Sequence, residues 1–402
     1  MNVLVLDTIH GGKPIGEAFT SRGDTVDLVD VYRDHGPVGI AATRSRTYDL
    51  VASPVHLDPD FPLLKNAHAP VITHHEAVRR LLGTGVPPLM IEITGARGKT
   101  TTAHALATVL PGPGVLHTSS GTYRYPEKTF ITRSSITPGS VLAAARLAQE
   151  TGGWLVAEES LGITGAGTLG IITSAEDYRC AAGKKSAIAA KIASAERIPR
   201  LLLAGGIRAP GGRSGVVCLE DAATCTGTTC TIVLDGTKRT FDNPLLALPG
   251  YRTPLMLAAT AAVMLGLDPG PLAAFTALPG RMEARQEGPV LVVDNANSGT
   301  NLATTLEAAR YARARAGTDT LTLVIGQQEG DGAVCEGFAP DQMLAAVEEI
   351  RPDHLVWVGR VPDQAPPALQ NAARTATLEE GYSLAQQKTV QGSLVLAVKT
   401  WR

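Results

Sequence analysis

Ile91-Glu-Ile-Thr-Gly-Ala-Arg-Gly-Lys-Thr-Thr-Thr102 is a short apolar run that breaks into a glycine-punctuated turn, and the chain resumes beyond it as Ala103-His-Ala-Leu-Ala-Thr-Val-Leu110. Strand, turn and helix in that order are what a phosphate cradle needs. Glycines let the backbone curl until its N–H groups and the positive end of a helix face an anion. Lys99 adds a point charge against terminal phosphates, and the Thr100 hydroxyl is a ligand for Mg2+. The spacing Gly95-x-x-Gly98-Lys99-Thr100 is shorter than the general phosphate-loop pattern. A chance glycine turn before a helix is the competing reading, and the order of the three elements argues against it.

Around this stretch, a chain of 402 residues has room for two or three domains, each with its own core. The net charge of -2 gives no electrostatic case for nucleic acid or an anionic membrane surface as partner. The longest apolar helical run, Leu255 to Gly266, falls short of the ~20 residues that span a bilayer. The chain opens directly on an apolar strand without a secretion-signal pattern, so a cytoplasmic location is expected. Five cysteines, an odd number, fit free thiols; Cys225 and Cys230 read as buried or incidental rather than as half a metal clip.

Met1-Asn-Val-Leu-Val-Leu6, Val26 to Val31, Asp49 to Ser53 and Pro70 to Thr73 recur at α/β intervals, which predicts a small parallel sheet over residues 1–85. Its first loop, Asp7-Thr-Ile-His-Gly-Gly-Lys13, lies where such sheets bind ligands but lacks a dinucleotide fingerprint. His10 and Lys13 either grasp an anionic group there or are solvated loop residues. His74-His75 reads as the surface start of a helix. Gly85-Val-Pro-Pro88 marks a boundary, and a second domain over 86–279 follows. In it, His117-Thr-Ser-Ser-Gly-Thr-Tyr123-Arg-Tyr125 supplies hydroxyls and turns that could approach phosphate or substrate.

The buried strand Trp154-Leu-Val-Ala157 ends in Glu158-Glu159-Ser160, followed by a glycine-rich stretch, Leu161 to Gly167, that reads as flexible. A carboxylate at a strand end beside a phosphate cradle is a natural Mg2+ ligand, because hard cations favour oxygen. Alternation points Glu158 and Glu159 to opposite faces, and Glu158 is the expected ligand. A helical stretch carries Lys184, Lys185 and Lys191, and Asp235-Gly236 between β-rich runs signals a hairpin. Residues 280–402 form a third α/β unit, in which Val290-Leu-Val-Val-Asp294 is another strand ending in an acid.

Three consecutive α/β units with these punctuations resemble the Mur ligase superfamily. The features that carry the resemblance are Thr94-Gly-Ala-Arg-Gly-Lys-Thr-Thr101, Thr137-Pro138, Glu158-Glu-Ser160, Gly280-Arg-Met-Glu283 and Asp294-Asn-Ala-Asn297. The resemblance implies an α/β, three-domain architecture: a small Rossmann-like N-terminal domain, a central P-loop ATPase domain and a C-terminal Rossmann-like domain. It also implies an ATP- and Mg2+-dependent ligase that phosphorylates a carboxylate and passes the acyl group to a nucleophile, usually an amine. Thr94, Gly95, Ala96, Arg97, Gly98, Lys99, Thr100 and Thr101 would then be the ATP loop. Arg281, Asp294 and Asn297 would serve the nucleotide, Thr100 and Glu158 the metal, and Lys191 would match a lysine that many members carbamylate. A plain surface lysine is the alternative reading of Lys191.

The chain also departs from the amino-acid-adding members, with Asp177-Tyr178 in place of Asp-His and Arg252-Thr253 in place of His-Asn. Leu6 to Gly12, Ala157 to Gly167, Ser174-Ala-Glu-Asp-Tyr178 and Val334-Cys-Glu-Gly-Phe338 are similar to a short branch of the superfamily in methanogenic archaea. That likeness implies a nickel tetrapyrrole substrate, with ring closure by a carbon nucleophile. His10, Tyr178 and the substrate's own acidity all remain open as the source of carbon deprotonation. His10, Lys13, Tyr123 and Tyr178 are the expected substrate-facing residues. Two other readings compete: an amide-forming ligase, and a nucleotide-dependent binding protein without chemistry.

Overall fold

The computed structural model describes residues 1–33, 38–208, 211, 213–328, 338–360 and 372–400. The signature residues Val334 to Gly337, Cys335 included, lie outside the described residues. The chain divides into two compact units, 1–275 and 276–402.

In the first unit, the β-branched runs near the N-terminus form a four-stranded, all-parallel sheet. Its order is Thr25–Val29, Asn2–Leu6, Leu50–Ser53, Val71–Thr73. Alternation divides its side chains between two cores. Leu4, Leu6, Val29 and Val51 pack with Leu57 and Leu63 on one face. Val3, Val5, Leu50 and Ala52 face helices Gly12–Ser21 and His74–Leu82 on the other, in a core continuous with Val141 and Ala144 of helix Ser140–Glu150 and with Met90 and Leu155 of the larger sheet. His74 and His75, read as surface residues, are buried. They stand at the start of their helix on the side turned into the protein, a position set by tertiary packing rather than by local sequence.

The larger sheet has eight strands in the order Val216–Cys218, Arg200–Leu203, Leu169–Ile172, Leu89–Thr94, Trp154–Glu158, Gly114–Thr118, Gly121–Tyr125, Thr129–Thr132. The first six are parallel and the last two antiparallel. The segment from His117 to Tyr125 is therefore mostly strand rather than loose turns, and His117 is buried in it. Three antiparallel strands, Ala223–Thr226, Thr229–Leu234 and Thr237–Asp242, make a separate sheet. The Asp235-Gly236 turn of its second hairpin has both residues at positive φ, 48° and 76°, as a two-residue hairpin of matching twist requires.

Two expectations about the middle of the chain are corrected. Lys184 and Lys185 lie in a small hairpin, Arg179–Cys180 with Lys185–Ser186, and the helix begins only at Ala187, capped by the Ser186 hydroxyl. The stretch from Leu161 to Gly167 is tied down rather than flexible. The buried Glu92 carboxylate accepts the amide hydrogens of Thr164 (2.8 Å), Gly165 (3.2 Å) and Gly167 (2.8 Å), along with the Thr164 hydroxyl.

The second unit is a six-stranded sheet in the order Glu283–Glu287, Val290–Asp294, Gly392–Lys399, Leu321–Gln327, His354–Val358, Ala373–Thr375. Only the first edge pair is antiparallel. Helices Leu302–Ala316 and Leu378–Lys388 each start on a capping box, Asn301 with Thr304 and Thr377 with Glu380, satisfying backbone donors that the first turn leaves free. Among the described residues, no helix is long and apolar enough to cross a membrane.

Candidate active site

Strand Leu89–Thr94 runs along the middle of the eight-stranded sheet and helix Lys99–Ala107 leaves from its carboxyl end, so Gly95 to Gly98 turn between them. Gly95 has φ 152°, and a β carbon there would stand 2.1 Å from the Thr173 hydroxyl. Gly98 caps the helix at φ 81°. Both conformations are open to glycine and costly for other residues. The end of the neighbouring strand pins the turn from the side. Ser174 Oγ accepts the amide hydrogens of Ala96 (2.9 Å) and Arg97 (3.3 Å), and the Thr173 hydroxyl lies 2.5 Å from the Arg97 carbonyl oxygen. The exposed Arg97 guanidinium pairs with Glu176.

On the other flank, strand Trp154–Glu158 pairs with Leu89–Thr94 and delivers Glu158 to the first turn of the helix. Glu158 Oε2 accepts from the Thr100 hydroxyl (2.9 Å) and from the Ser119 amide (3.1 Å). Lys99 Nζ lies 3.8 Å from Glu158 Oε1 and donates to the Gly95 carbonyl at 3.2 Å. A hydroxyl and a carboxylate side by side form an all-oxygen donor set, which suits a hard divalent cation such as Mg2+. The amide groups and Lys99 at a helix N-terminus suit phosphate. Thr94 is buried beneath the turn and Thr101 is buried within the first turn of the helix.

Glu159, one residue on, turns the opposite way into the interior and is fully buried. Its neighbours there are the Glu92 carboxyl and the Thr164 backbone. Burial, reinforced by the nearby Glu92 charge, pushes its carboxyl well above the usual range, so it is held as the neutral acid. Adjacent glutamates thus have opposite roles, one at the cradle and one in the core.

Tyr123 donates its hydroxyl to the Ser120 carbonyl (3.1 Å) and meets the His104 ring edge-on. His117 is held between the hydroxyls of Thr122 and Ser140, both at 2.9 Å, and burial pulls its pKa down to about 4. Lys191 is fully buried, which disposes of the surface-lysine alternative, and its ammonium stands 4.8 Å from the centre of the Tyr178 ring. The Asp177 carboxylate accepts from the Ile188 amide (3.0 Å) in the first turn of the same helix.

At the carboxyl edge of the four-stranded sheet, Asp7 is buried at φ 81°. Its Oδ1 accepts the amides of Ile9 (2.7 Å) and His10 (3.1 Å), and its Oδ2 lies 2.8 Å from His10 Nδ1. Burial raises the Asp7 pKa, but the hydrogen bond and charge of His10 outweigh it and hold the carboxyl below its ordinary value. Lys13 is exposed in the first turn of helix Gly12–Ser21, which follows that loop. That loop touches the Thr137-Pro138-Gly139 segment, where β carbons added at Gly11 and Gly139 would meet Thr137 Oγ1 at 2.7 Å and the Gly11 carbonyl oxygen at 2.3 Å.

In the second unit, Asp294 closes its strand buried, with Oδ1 accepting the Ala296 amide (3.0 Å) and Oδ2 lying 3.8 Å from Arg285. Asn297 uses its side-chain amide on the carbonyls of Gly280 (2.7 Å) and Asn295 (3.3 Å). It thereby ties the turn before Arg281, which is half-buried, to the end of the Asp294 strand.

Ser119, Thr173, Ser174, Asp7 and His56 were not singled out from the sequence. The first four lie at strand ends beside expected loops, a position that marks them once the strand order is known. His56 follows the strand next to Asn2–Leu6, and adjacent parallel strands bring their carboxyl-end loops together.

Solved structures with this fold include the folylpolyglutamate synthase/dihydrofolate synthase of Yersinia pestis in complex with AMPPNP and a Mn ion. It is 17% identical, with 82% of this chain and 90% of that chain covered, at a TM-score of 0.57. MurF from Acinetobacter baumannii is 14% identical, with 96% and 95% covered, at 0.54. The fold is thus that of the Mur ligases and folylpolyglutamate synthases. Residues 284–400 match the family model described as coenzyme F430 synthetase CfbE, C-terminal domain. The coenzyme F(430) synthetase of Methanosarcina acetivorans is 31% identical over 468 aligned positions that cover 99% of this chain and 98% of that protein. The chain belongs to the coenzyme F(430) synthetase family and is an ATP-dependent ligase of Mur type.

Proposed function

We propose that the protein uses ATP and Mg2+ to activate a propionate carboxylate of a nickel tetrapyrrole, seco-F(430) acid, and closes a carbocyclic ring on it to give coenzyme F(430). The carboxylate takes the terminal phosphoryl group and becomes an acyl phosphate. A ring-adjacent carbon of the same molecule then loses a proton, forms a C–C bond to the acyl carbon and expels phosphate. Donor and acceptor belong to one substrate, so no separate amine pocket is needed. The replacement of Asp-His by Asp177-Tyr178 supports that reading.

The observation that carries the proposal is the contact of Thr100 with Glu158 at the N-terminus of the cradle helix, with Lys99 beside both. Mg2+ bound by this pair would neutralise phosphate charge, which together with positioning is most of what phosphoryl transfer requires. Lys99 adds a fixed positive charge, and the turn amides hold the phosphates in place. The Ser119 amide and the buried strand keep Glu158 aimed at the cradle. In this reading residues 1–85 take the tetrapyrrole through His10 and Lys13, residues 86–279 take ATP with Tyr123 and Tyr178 facing the substrate, and residues 280–402 contribute Arg281, Asp294 and Asn297 to the nucleotide. Lys191 keeps a catalytic role as a carbamylated lysine, which its burial supports.

The test is phosphate release by the purified protein with ATP alone, with an amino-acid mixture, and with the seco nickel tetrapyrrole acid. Tetrapyrrole-dependent release, with loss of one water in the product mass, is expected. Release only with an amine would assign the chain to the amide-forming ligases, and no release under any condition would favour nucleotide binding without chemistry.

A further inference from the structure

We propose that Asp7, His10 and His56 form a binding site for a divalent first-row transition-metal ion, separate from the Mg2+ pair at Thr100 and Glu158. The three residues come from two loops at one sheet edge. Asp7 and His10 follow strand Asn2–Leu6, and His56 follows strand Leu50–Ser53. Asp7 Oδ2 lies 2.8 Å from His10 Nδ1 and 3.7 Å from His56 Nε2, and one donor atom from each residue falls within 4.8 Å of the others. Metal–ligand bonds of about 2.0–2.2 Å place cis or tetrahedral neighbours roughly 3.0–3.6 Å apart, so these three donors already stand close to one face of a coordination shell.

Chemistry narrows the ion. Two imidazoles and one carboxylate suit Zn2+, Co2+ or Ni2+, whereas Mg2+ and Ca2+ favour oxygen alone. His56 Nε2 is buried and has no hydrogen-bond partner, an arrangement that a metal would satisfy. Burial, with the nearby His10, brings the His56 pKa down to about 4, so the ring is neutral and its lone pair is available near neutral pH. The edge-on contact of the His10 and His56 rings, with centroids 4.7 Å apart, fixes their mutual orientation. Both rings keep about a quarter of their surface exposed, 23% and 27%, so further positions on the ion open toward solvent. An entering ion would take His10 Nδ1 from its contact with Asp7 Oδ2, with the ring hydrogen carried on Nε2.

The inference does not depend on the ligase reading. Its test is calorimetric titration of the metal-stripped full chain with Co2+ in excess Mg2+, alongside the Co2+ visible spectrum and anomalous diffraction from a Co2+-soaked crystal. Expected are one Co2+ per chain, d–d bands of a site with nitrogen ligands, and anomalous density among residues 7, 10 and 56. His56→Gln and His10→Gln should each weaken binding by at least about 10-fold, the smaller loss seen even for residues that only support a metal ligand. Absence of saturable binding, density elsewhere, or unchanged affinity in both variants would overturn the proposal. The wild-type diffraction result decides the matter if a variant fails to fold.

Discussion

Thr100 and Glu158, 58 residues apart in the chain, meet in a hydrogen bond of 2.9 Å inside the protein. The contact exists because parallel pairing of strands Leu89–Thr94 and Trp154–Glu158 puts one strand's end beside the other's following helix. It joins the hydroxyl and the carboxylate into a single oxygen face before any ligand arrives.

Removing either side of that face should slow turnover without unfolding the chain. Thr100→Ala and Glu158→Gln are each expected to lower kcat by on the order of 10²–10³-fold, with the double variant costing far less than the product of the two. Steady-state phosphate release on the three variants measures this. Independent, multiplying losses would show that the residues do not act as a unit.

Gly95→Ala should damage both stability and activity. Its β carbon would meet Thr173 Oγ1 at 2.1 Å and the Thr173 amide nitrogen at 3.1 Å, at a φ of 152°. Backbone strain of this kind costs about 1–3 kcal/mol, so a lowered Tm and a weakened response to ATP are expected together. A variant with a normal Tm would show that the turn has room to relax.

Glu159→Gln should make stability less sensitive to alkali. The folded-state pKa of Glu159 is raised above its unfolded value, so the neutral acid's stabilising contribution is complete below the unfolded value near 4.5 and is lost as pH rises toward the folded one. The amide cannot ionise. Urea midpoints from pH 5 to 8 are therefore expected to fall less steeply in the variant than in the wild type, and parallel curves would contradict the assignment.

Acid should act through the buried histidines. His74, His75 and His117 have pKa values pulled down by burial from 6.5 to about 4. A depressed folded pKa contributes stability that is present above about 6.5 and lost as pH falls through about 4, at up to roughly 1.4 kcal/mol per pH unit for each proton. His117→Asn should remove one proton from that slope, read as the pH dependence of the unfolding free energy. No change in slope would mean that His117 is protonated in the fold.

Much of this was legible in the sequence because it is encoded locally. The β-branched runs, the Asp235-Gly236 turn and the glycines of residues 95–98 specify their own backbone, and the Mur-like architecture followed from their order. What stayed hidden depends on strand neighbours. Ser174 reaches the cradle only because its strand lies beside Leu89–Thr94, and His56 reaches Asp7 only through the pairing of Leu50–Ser53 with Asn2–Leu6. His74, His75 and Lys191 carry polar side chains that single-sequence reasoning assigns to the surface, and packing between layers placed them inside. The three glycines after Leu161 suggested mobility because composition does not reveal a distant carboxylate, Glu92, that accepts the amides of Thr164, Gly165 and Gly167.

That carboxylate has a kinetic consequence. Glu92 accepts the amide hydrogens of Thr164, Gly165 and Gly167 while being itself sealed from water. Those deuterons can exchange only when the surrounding sheet opens, so a glycine-rich segment should record, in its exchange rates, the opening of the core rather than the fluctuation of a loop.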